Sequence, residues 1–401
     1  MLDDITLTDC AEADVPAGSD ELSCDFEKDT CAWYDDLSAK LTWQRADGKK
    51  PSADQGPGHD HTTGSGYYMF ITPTWNSKPP ETARLVSFPQ KSKCVSFWYL
   101  MYGANIGSLR FITKQSDGTQ SLIWMRTGTQ GNKWRFVDLS FADIKEPIQF
   151  MFEGTLEGTD GYIAIDDVQV SSSVNGSCPA ERECTFQGSL CGFQPDPTTD
   201  FTWSRTKGEL VTDTPSPSVD HTLGTDKGFY MSAQLWQHPS DSRGSMVTNI
   251  HQPTLGHGEC WMFWYHMDGR NVGSLNIYVQ DLNSTRPQVP LWSMSGDQGE
   301  QWRHGRVSVI SPHSPYKVIF EAVAGSEERK DIAIDDLTVL NDPCPPDGFC
   351  DFEIDMCGWV NAYVNTSSIE WSWTSGISAV SFDPEVDHTT NTAMGEYMCS
   401  T

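Results

Sequence analysis

Three short acidic elements recur along this 401-residue chain, and they are the residues best suited to chemistry. Glu27 and Asp29 lie between two closely spaced cysteines. Asp60 opens an Asp-His-Thr element, and Asp166 and Asp167 close an Ile-Ala-Ile-Asp-Asp run. Their counterparts further along are Asp220, Asp335 and Asp336, and then Glu353, Asp355 and Asp387. Clustered carboxylates repel one another and raise each other's pKa. A hard cation with oxygen ligands removes that cost, and calcium sites of extracellular modules work at about 10⁻⁴ to 10⁻³ M. If the fold gathers these acids, calcium is the cofactor they would take; the competing reading leaves the acids in solvent or capping turns through Asx hydrogen bonds. Gln187 replaces Glu27 and Ser189 replaces Asp29 in the second copy, which predicts weaker binding there. The third copy has no closing Asp-Asp run, so its site is expected to be incomplete.

Other chemistries fit less well. Asp60 and His61 are adjacent, and neighbours on an extended chain point opposite ways, so they do not make two members of a Ser-His-Asp system. His59 and His61 form a His-x-His pair, but Val219 and Val386 replace His59, so a transition-metal site there would exist once. No H-E-x-x-H, G-x-S-x-G or phosphate-binding glycine loop is present. No C-x2-C pair suggests zinc. A paired-carboxylate glycosidase is not excluded by motif, but an active site needs no serial repetition, whereas linked weak binding sites gain from effective concentration. The expectation is a binder, not an enzyme.

The elements that must position these residues come in repeats. Cys24-Asp-Phe-Glu-x3-Cys31 returns as Cys184-Thr-Phe-Gln-x3-Cys191 and Cys350-Asp-Phe-Glu-x3-Cys357. Asp60-His61-Thr62 returns at 220–222 and 387–389. Gly66-Tyr67-Tyr68-Met69 returns at 228–231 and 395–398. The Cys94 strand matches the Cys260 strand, and 163–167 matches 332–336. The organisation read from this is the tail of a preceding repeat at 1–10, full repeats at 24–178 and 184–344, and the N-terminal part of a third at 350–401. The chain opens Met-Leu-Asp-Asp without a basic or apolar leader, so a piece of a longer secreted or membrane-anchored protein is expected. The spacers of six positions between Cys178 and Cys184, and between Cys344 and Cys350, allow neighbouring repeats few relative angles.

Four cysteines per full repeat allow three pairings. The first two are always seven apart and the last two 84 apart. That spacing favours Cys24–Cys31, Cys94–Cys178, Cys184–Cys191, Cys260–Cys344 and Cys350–Cys357. Cys10 and Cys399 are left over; Cys399 stands where Phe70 and Ser232 stand in the other repeats.

A net charge of −28 speaks against nucleic acid or an anionic membrane surface as partner. Fifteen Trp, 12 Tyr and 18 Phe supply material for cores. No apolar run approaches the roughly 20 residues that span a bilayer, so membrane attachment would require a segment outside this sequence. Short β-branched and aromatic runs between Gly, Pro, Asn and Asp give strands. Residues 95–101 are apolar on both faces, which predicts a central strand between two layers. The Gly-rich 103–109 and 269–275 segments predict turns into returning strands at 109–113 and 275–279. Strands are also expected at 148–152 and 163–170. The fold class is all-β, and Trp43, Trp203 and Trp373 are expected in cores.

Taken in order, the C-x-F-E-x3-C opening, the D-H-T element, the C-x-x-F-W-Y strand and the I-A-I-D-D ending resemble the MAM domain, named for meprin, A5 and receptor phosphatase mu. The likeness covers nearly the whole chain. It implies tandem jelly-roll sandwiches, two antiparallel sheets per module, and the same disulfide pairing; some members hold a cation, which implies calcium at the acidic elements. It further implies extracellular recognition of other proteins, homophilic adhesion included. The alternative roles are the ectodomain of a receptor or sorting protein that captures a soluble ligand, or an accessory region of a larger protease or phosphatase. Three N-x-S/T sequons, at Asn175, Asn283 and Asn365, fit glycosylation of such a protein.

Overall fold

The structure is a computed structural model. It describes residues 22–48, 56–74, 78–103, 106–141, 144, 146–158, 161–171, 178–211, 214–282, 284–285, 287–326, 330–346, 349–353, 356–357, 359, 371–375, 384–391 and 395–400. The expected leading tail at 1–10 with Cys10, Asp355, and the sequons at Asn175, Asn283 and Asn365 lie outside the described residues.

Repeat 1 is built from β1 (Tyr34–Asp35), β2 (Gln44–Asp47), β3 (Tyr67–Ile71), β4 (Glu81–Val86), β5 (Cys94–Tyr102), β6 (Ser108–Lys114), β7 (Gln120–Thr127), β8 (Arg135–Ser140), β9 (Gln149–Leu156) and β10 (Tyr162–Ser171). They form two five-stranded sheets, β1-β4-β9-β6-β7 and β2-β3-β10-β5-β8, with antiparallel pairing between these strands. Successive side chains on a strand face opposite ways, so Val95, Phe97, Tyr99 and Met101 of β5 enter the space between the sheets. There Phe97 meets Phe152 edge-to-face at 4.9 Å, and Trp124 packs on Tyr99 at 5.0 Å. Burying each such ring contributes about 1.5–3 kcal/mol before its conformational cost.

Repeat 2 repeats this plan. Its strands are β11 (Glu183–Cys184), β12 (Gln194–Pro195), β13 (Ser204–Lys207), β14 (Phe229–Ser232), β15 (Arg243–Val247), β16 (Glu259–Asp268), β17 (Gly273–Asp281), β18 (Trp292–Ser295), β19 (Gly299–Val309), β20 (Tyr316–Ala324) and β21 (Asp331–Leu340). The sheets run β13-β14-β21-β16-β19, with β11 added on β21, and β12-β15-β20-β17-β18. The described part of repeat 3 holds one hairpin, β22 (Trp371–Ser375) with β23 (Glu396–Ser400), in which Cys399 lies opposite Ser372. No helix among the described residues is long and apolar enough to cross a membrane.

Disulfides join Cys24–Cys31, Cys94–Cys178, Cys184–Cys191, Cys260–Cys344 and Cys350–Cys357. A chain with this many bridges belongs to an oxidising compartment. Trp43 and Trp203 are buried, while Trp373 is only half-buried.

Two strand expectations are refined. Strand β5 is flanked in its sheet by β10 and β8, but only one of its faces meets the second sheet. Its other face, with Leu100 and Tyr102, is covered by a local cluster of Tyr68, Phe70, Tyr162 and Trp134. The strand that follows β5 does not lie beside it: β6 belongs to the opposite sheet, where it pairs with β7 and β9. A two-layer sandwich needs such corners, and turn composition alone does not distinguish a corner from a hairpin.

Candidate functional site

In each sandwich the Asp-His-Thr element and the Asp-Asp ending meet on the outer face of one sheet, over Trp98 in repeat 1 and Trp264 in repeat 2. In repeat 1 the His61 N–H donates to Asp166 Oδ2 at 2.9 Å, and its ring Nδ1 sits 2.7 Å from Asp167 Oδ2. The ring stacks on Trp98 at 3.6 Å and touches the edge of Trp134. Repeat 2 copies this arrangement: His221 N–H to Asp335 at 2.8 Å, ring Nδ1 to Asp336 at 2.5 Å, and stacking on Trp264 at 3.8 Å. The two motifs recur together because one straps the other.

Backbone geometry makes the strap possible. Asp167 and Asp336 have φ of 47° and 45°, the left-handed region, which Asp tolerates better than most residues. The register of β10 on β5 shifts between Asp166 and Gln169, and that of β21 on β16 shifts at the same place. The bulge turns the second aspartate out of the ladder and toward the histidine.

Asp60 does not face His61. Its carboxylate accepts the Thr63 N–H at 2.7 Å, the Gly66 N–H at 2.6 Å and the Thr63 hydroxyl at 3.1 Å. Burial opposes its charge, but these donors outweigh burial and hold the carboxyl below the usual range. Glu27 accepts the next N–H, that of Tyr67, at 2.9 Å. A Cβ at Gly66 would lie 1.9 Å from Glu27 Oε1, so the Glu27 carboxylate keeps this seat only against glycine. Asp29 is exposed and caps the small disulfide loop through the Cys31 N–H at 2.7 Å. Burial pushes the Asp166 carboxyl up to about 8, with the neighbouring Asp167 and Asp60 charges adding to the rise.

The sequence-selected acids therefore divide. Glu27 and Asp60 converge on consecutive backbone amides, Asp166 and Asp167 hold the histidine strap, and Asp29 faces away. Among the described residues no three His, Cys, Asp or Glu side chains gather as a metal-holding group.

Repeat 2 shows what fills the Glu27–Asp60 position when the acid is an amide. Gln187 Oε1 accepts the Phe229 N–H at 3.1 Å, as Glu27 accepts that of Tyr67. Gln187 Nε2 donates to Asp220 Oδ2 at 3.0 Å, Phe229 O at 2.9 Å and Thr185 O at 3.2 Å. The amide nitrogen thus sits in a cage of three oxygens. In repeat 1 the matching oxygens belong to Asp60, Tyr67 and Asp25, and Glu27 brings a carboxylate oxygen in place of a donor. In repeat 3 Glu353 accepts the Glu396 N–H at 3.2 Å and Asp387 accepts the Thr390 N–H at 2.6 Å. Burial raises the Glu353 carboxyl, and the Asp387 carboxyl beside it contributes to the rise.

The family described as "MAM domain, meprin/A5/mu" matches residues 24–179 and again 184–345. The chain belongs to the MAM domain family. Thyroid hormone-induced protein B of Xenopus laevis is 30% identical over 341 residues, covering 81% of this chain and 48% of its own length. MAM domain-containing protein 2 of Homo sapiens is 29% identical over 339 residues, again covering 81% and 48%. MAM domain-containing glycosylphosphatidylinositol anchor protein 1 of Gallus gallus is 31% identical over 191 residues, 46% of this chain and 20% of its own. The chain spans about half the length of the first two relatives.

One group of buried polar side chains lies in no motif, because it joins the two MAM repeats. Arg126 on β7, Tyr99 on β5 and Glu181 and Glu183 of the connection are all buried. The available signal was internal: Met294 occupies the position of Arg126, with Met294 opposite Leu275 as Arg126 is opposite Leu109.

Proposed function

We propose that this chain is an extracellular, non-catalytic array of protein-recognition modules of the adhesive kind. The observation that carries this reading is the serial one. Two complete MAM sandwiches, each closed by one short and one long disulfide, follow one another and carry the same histidine strap. Serial weak sites gain avidity when their partner is also repeated, which suits homophilic contact between opposed surfaces. A relative whose name carries a glycosylphosphatidylinositol anchor supports display at the cell surface. The sequons at Asn175, Asn283 and Asn365 are proposed to carry glycans.

The reading includes a hard cation of the calcium type. The donors of repeat 1 fit one: the Glu27 and Asp60 carboxylates and the main-chain oxygens of Asp25 and Tyr67 match the cage that the Gln187 amide fills in repeat 2. Such an ion would neutralise two converging carboxylates and brace the first disulfide loop against β3. Glu353 and Asp387 offer the same pair in repeat 3, and repeat 2 has an internal substitute.

Analytical ultracentrifugation of the chain with calcium and with chelator tests the proposal. Association that weakens in chelator is the expected result. A chain that stays monomeric in both at about 0.1 mM, a contact weaker than about −5.5 kcal/mol, would overturn the homophilic reading; capture of a soluble protein by that monomer would favour a receptor role.

A further inference from the structure

The connection between repeats 1 and 2 is built as an interface. Its side chains point alternately into one repeat and the other. Glu181 returns to repeat 1, where its carboxylate accepts the Ser140 N–H at 3.3 Å and the Ser140 hydroxyl at 2.5 Å. Arg182 enters repeat 2, donating to Glu259 at 2.9 Å and Asn341 at 3.0 Å. Glu183 pairs in the ladder with Thr338 of β21, yet its carboxylate accepts the hydroxyl of Tyr99 in repeat 1 at 2.8 Å.

Arg126 completes the joint from repeat 1. Its Nε donates to Glu183, one terminal nitrogen donates to Asp336, and the other reaches the Thr338 hydroxyl at 3.4 Å. The arginine is 5% exposed and Glu183 2%. A planar fork with five N–H donors meets three acceptors on one neighbouring repeat, a geometry that lysine does not reproduce. Asp336 is the bulged aspartate that also holds His221, so the strapped face of repeat 2 serves as the receptor. The backbones close around this pair. Thr127 Oγ1 donates to Thr222 O at 2.8 Å, and a Cβ on Gly188 would lie 1.9 Å from Ile123 O.

We propose that the strapped acidic face of repeat 2, at His221 and Asp336, is a docking site for repeat 1, with the Arg126 guanidinium as its ligand, so that the two repeats act as one rigid recognition unit. The same contact is not encoded at the next junction. Met294 replaces Arg126 and Phe349 replaces Glu183, so both charges are missing together. A buried ion pair is costly to break singly and tolerable to lose as a pair, which matches this joint substitution.

Hydrogen–deuterium exchange on the full chain tests the proposal. Arg126→Met, which installs the residue of repeat 2, and Glu183→Leu should each raise amide exchange at residues 181–188 and 120–127 roughly tenfold or more, because the first strips Glu183 and Asp336 of their shared cation and the second leaves the buried Arg126 with Asp336 as its one carboxylate. The interiors of β5 and β16 should stay as in the wild type. The double variant should exchange more slowly at the joint than either single variant, and Arg126→Lys should fall between wild type and Arg126→Met. Joint exchange within about twofold of wild type in both single variants would overturn the proposal. So would increases confined to repeat 1, which would make Arg126 a support of its own sheet. If Arg126→Met does not fold, Glu183→Leu and Arg126→Lys still decide the matter.

Discussion

Gln187 Nε2 donates to Asp220 Oδ2 at 3.0 Å in repeat 2, where repeat 1 has Glu27, whose carboxylate accepts the Tyr67 N–H while Asp60 accepts that of Gly66. One atom changes from donor to acceptor, and the demand for a positive charge changes with it. Calcium should raise the thermal midpoint of the wild-type chain. Glu27→Gln should remove the share due to repeat 1, and Gln187→Glu should add a response from repeat 2. At a calcium concentration ten times Kd each site contributes about 1.4 kcal/mol. Calorimetry that finds the calcium response of Glu27→Gln undiminished would refute the cage.

The connection should make stability depend on pH in an uncommon direction. Burial pushes the Asp138 carboxyl up to about 7, with Arg182 partly opposing it. Burial does the same to Glu181, also to about 7, against the hydrogen bonds from Ser140 and aided by the Asp138 charge. Both folded values lie above the unfolded ones, so the fold binds these protons more tightly. The stability they contribute is complete below about pH 4 and is lost as pH rises through about 7. Asp138→Asn should flatten the fall in thermal midpoint between pH 5 and 8. An equally steep fall in that variant would show the dependence to arise elsewhere.

The two bridges of a repeat should differ in weight. In the chain-entropy account, closing about 85 residues stabilises by about 4.6 kcal/mol and closing about eight by about 2.5. Replacing Cys94 and Cys178 by serine should therefore lower stability more than replacing Cys24 and Cys31, as read by guanidinium unfolding. The reverse order would mean that the short loop braces more of the sandwich than its length implies.

The histidine strap offers a comparison inside one molecule. His61 lies between Asp167 and the face of Trp98, so His61→Ala removes a stacked ring and leaves a partly buried carboxylate without its ring partner. The expected cost is about 1–3 kcal/mol. His388 occupies the same place in the third repeat, is exposed, and has no Asp-Asp run in this sequence to hold. His388→Ala should be neutral within about 0.5 kcal/mol. Chemical denaturation of the two variants separates these outcomes.

Much of the module was legible because its signals are local. The alternation at Val95, Phe97, Tyr99 and Met101 placed β5, and the repeated motifs announced the modules. The division of labour among the acids was not legible. Glu27 and Asp29 are two residues apart, yet one reaches the Tyr67 N–H on β3 and the other caps Cys31 in solvent, within a short loop that takes left-handed φ at Phe26 and Cys31 and so follows no strand alternation. The bulge at Asp167 was equally hidden, since a two-residue Asp-Asp run reads as plain alternation. Arg126 lies in no motif; its meaning appears only when a second sandwich is set against it.

The pairing of Arg126 with Glu183 and Asp336 also bears on how such arrays change over generations. Beads cut from one pattern can be duplicated, deleted or exchanged without harm while nothing distinguishes their neighbours. Once a charge on one bead requires its opposite on the next, copying repeat 2 into the first place would bury Glu183 against a thioether. The string has acquired a reading direction, enforced by electrostatics at one seam and relaxed at the following one.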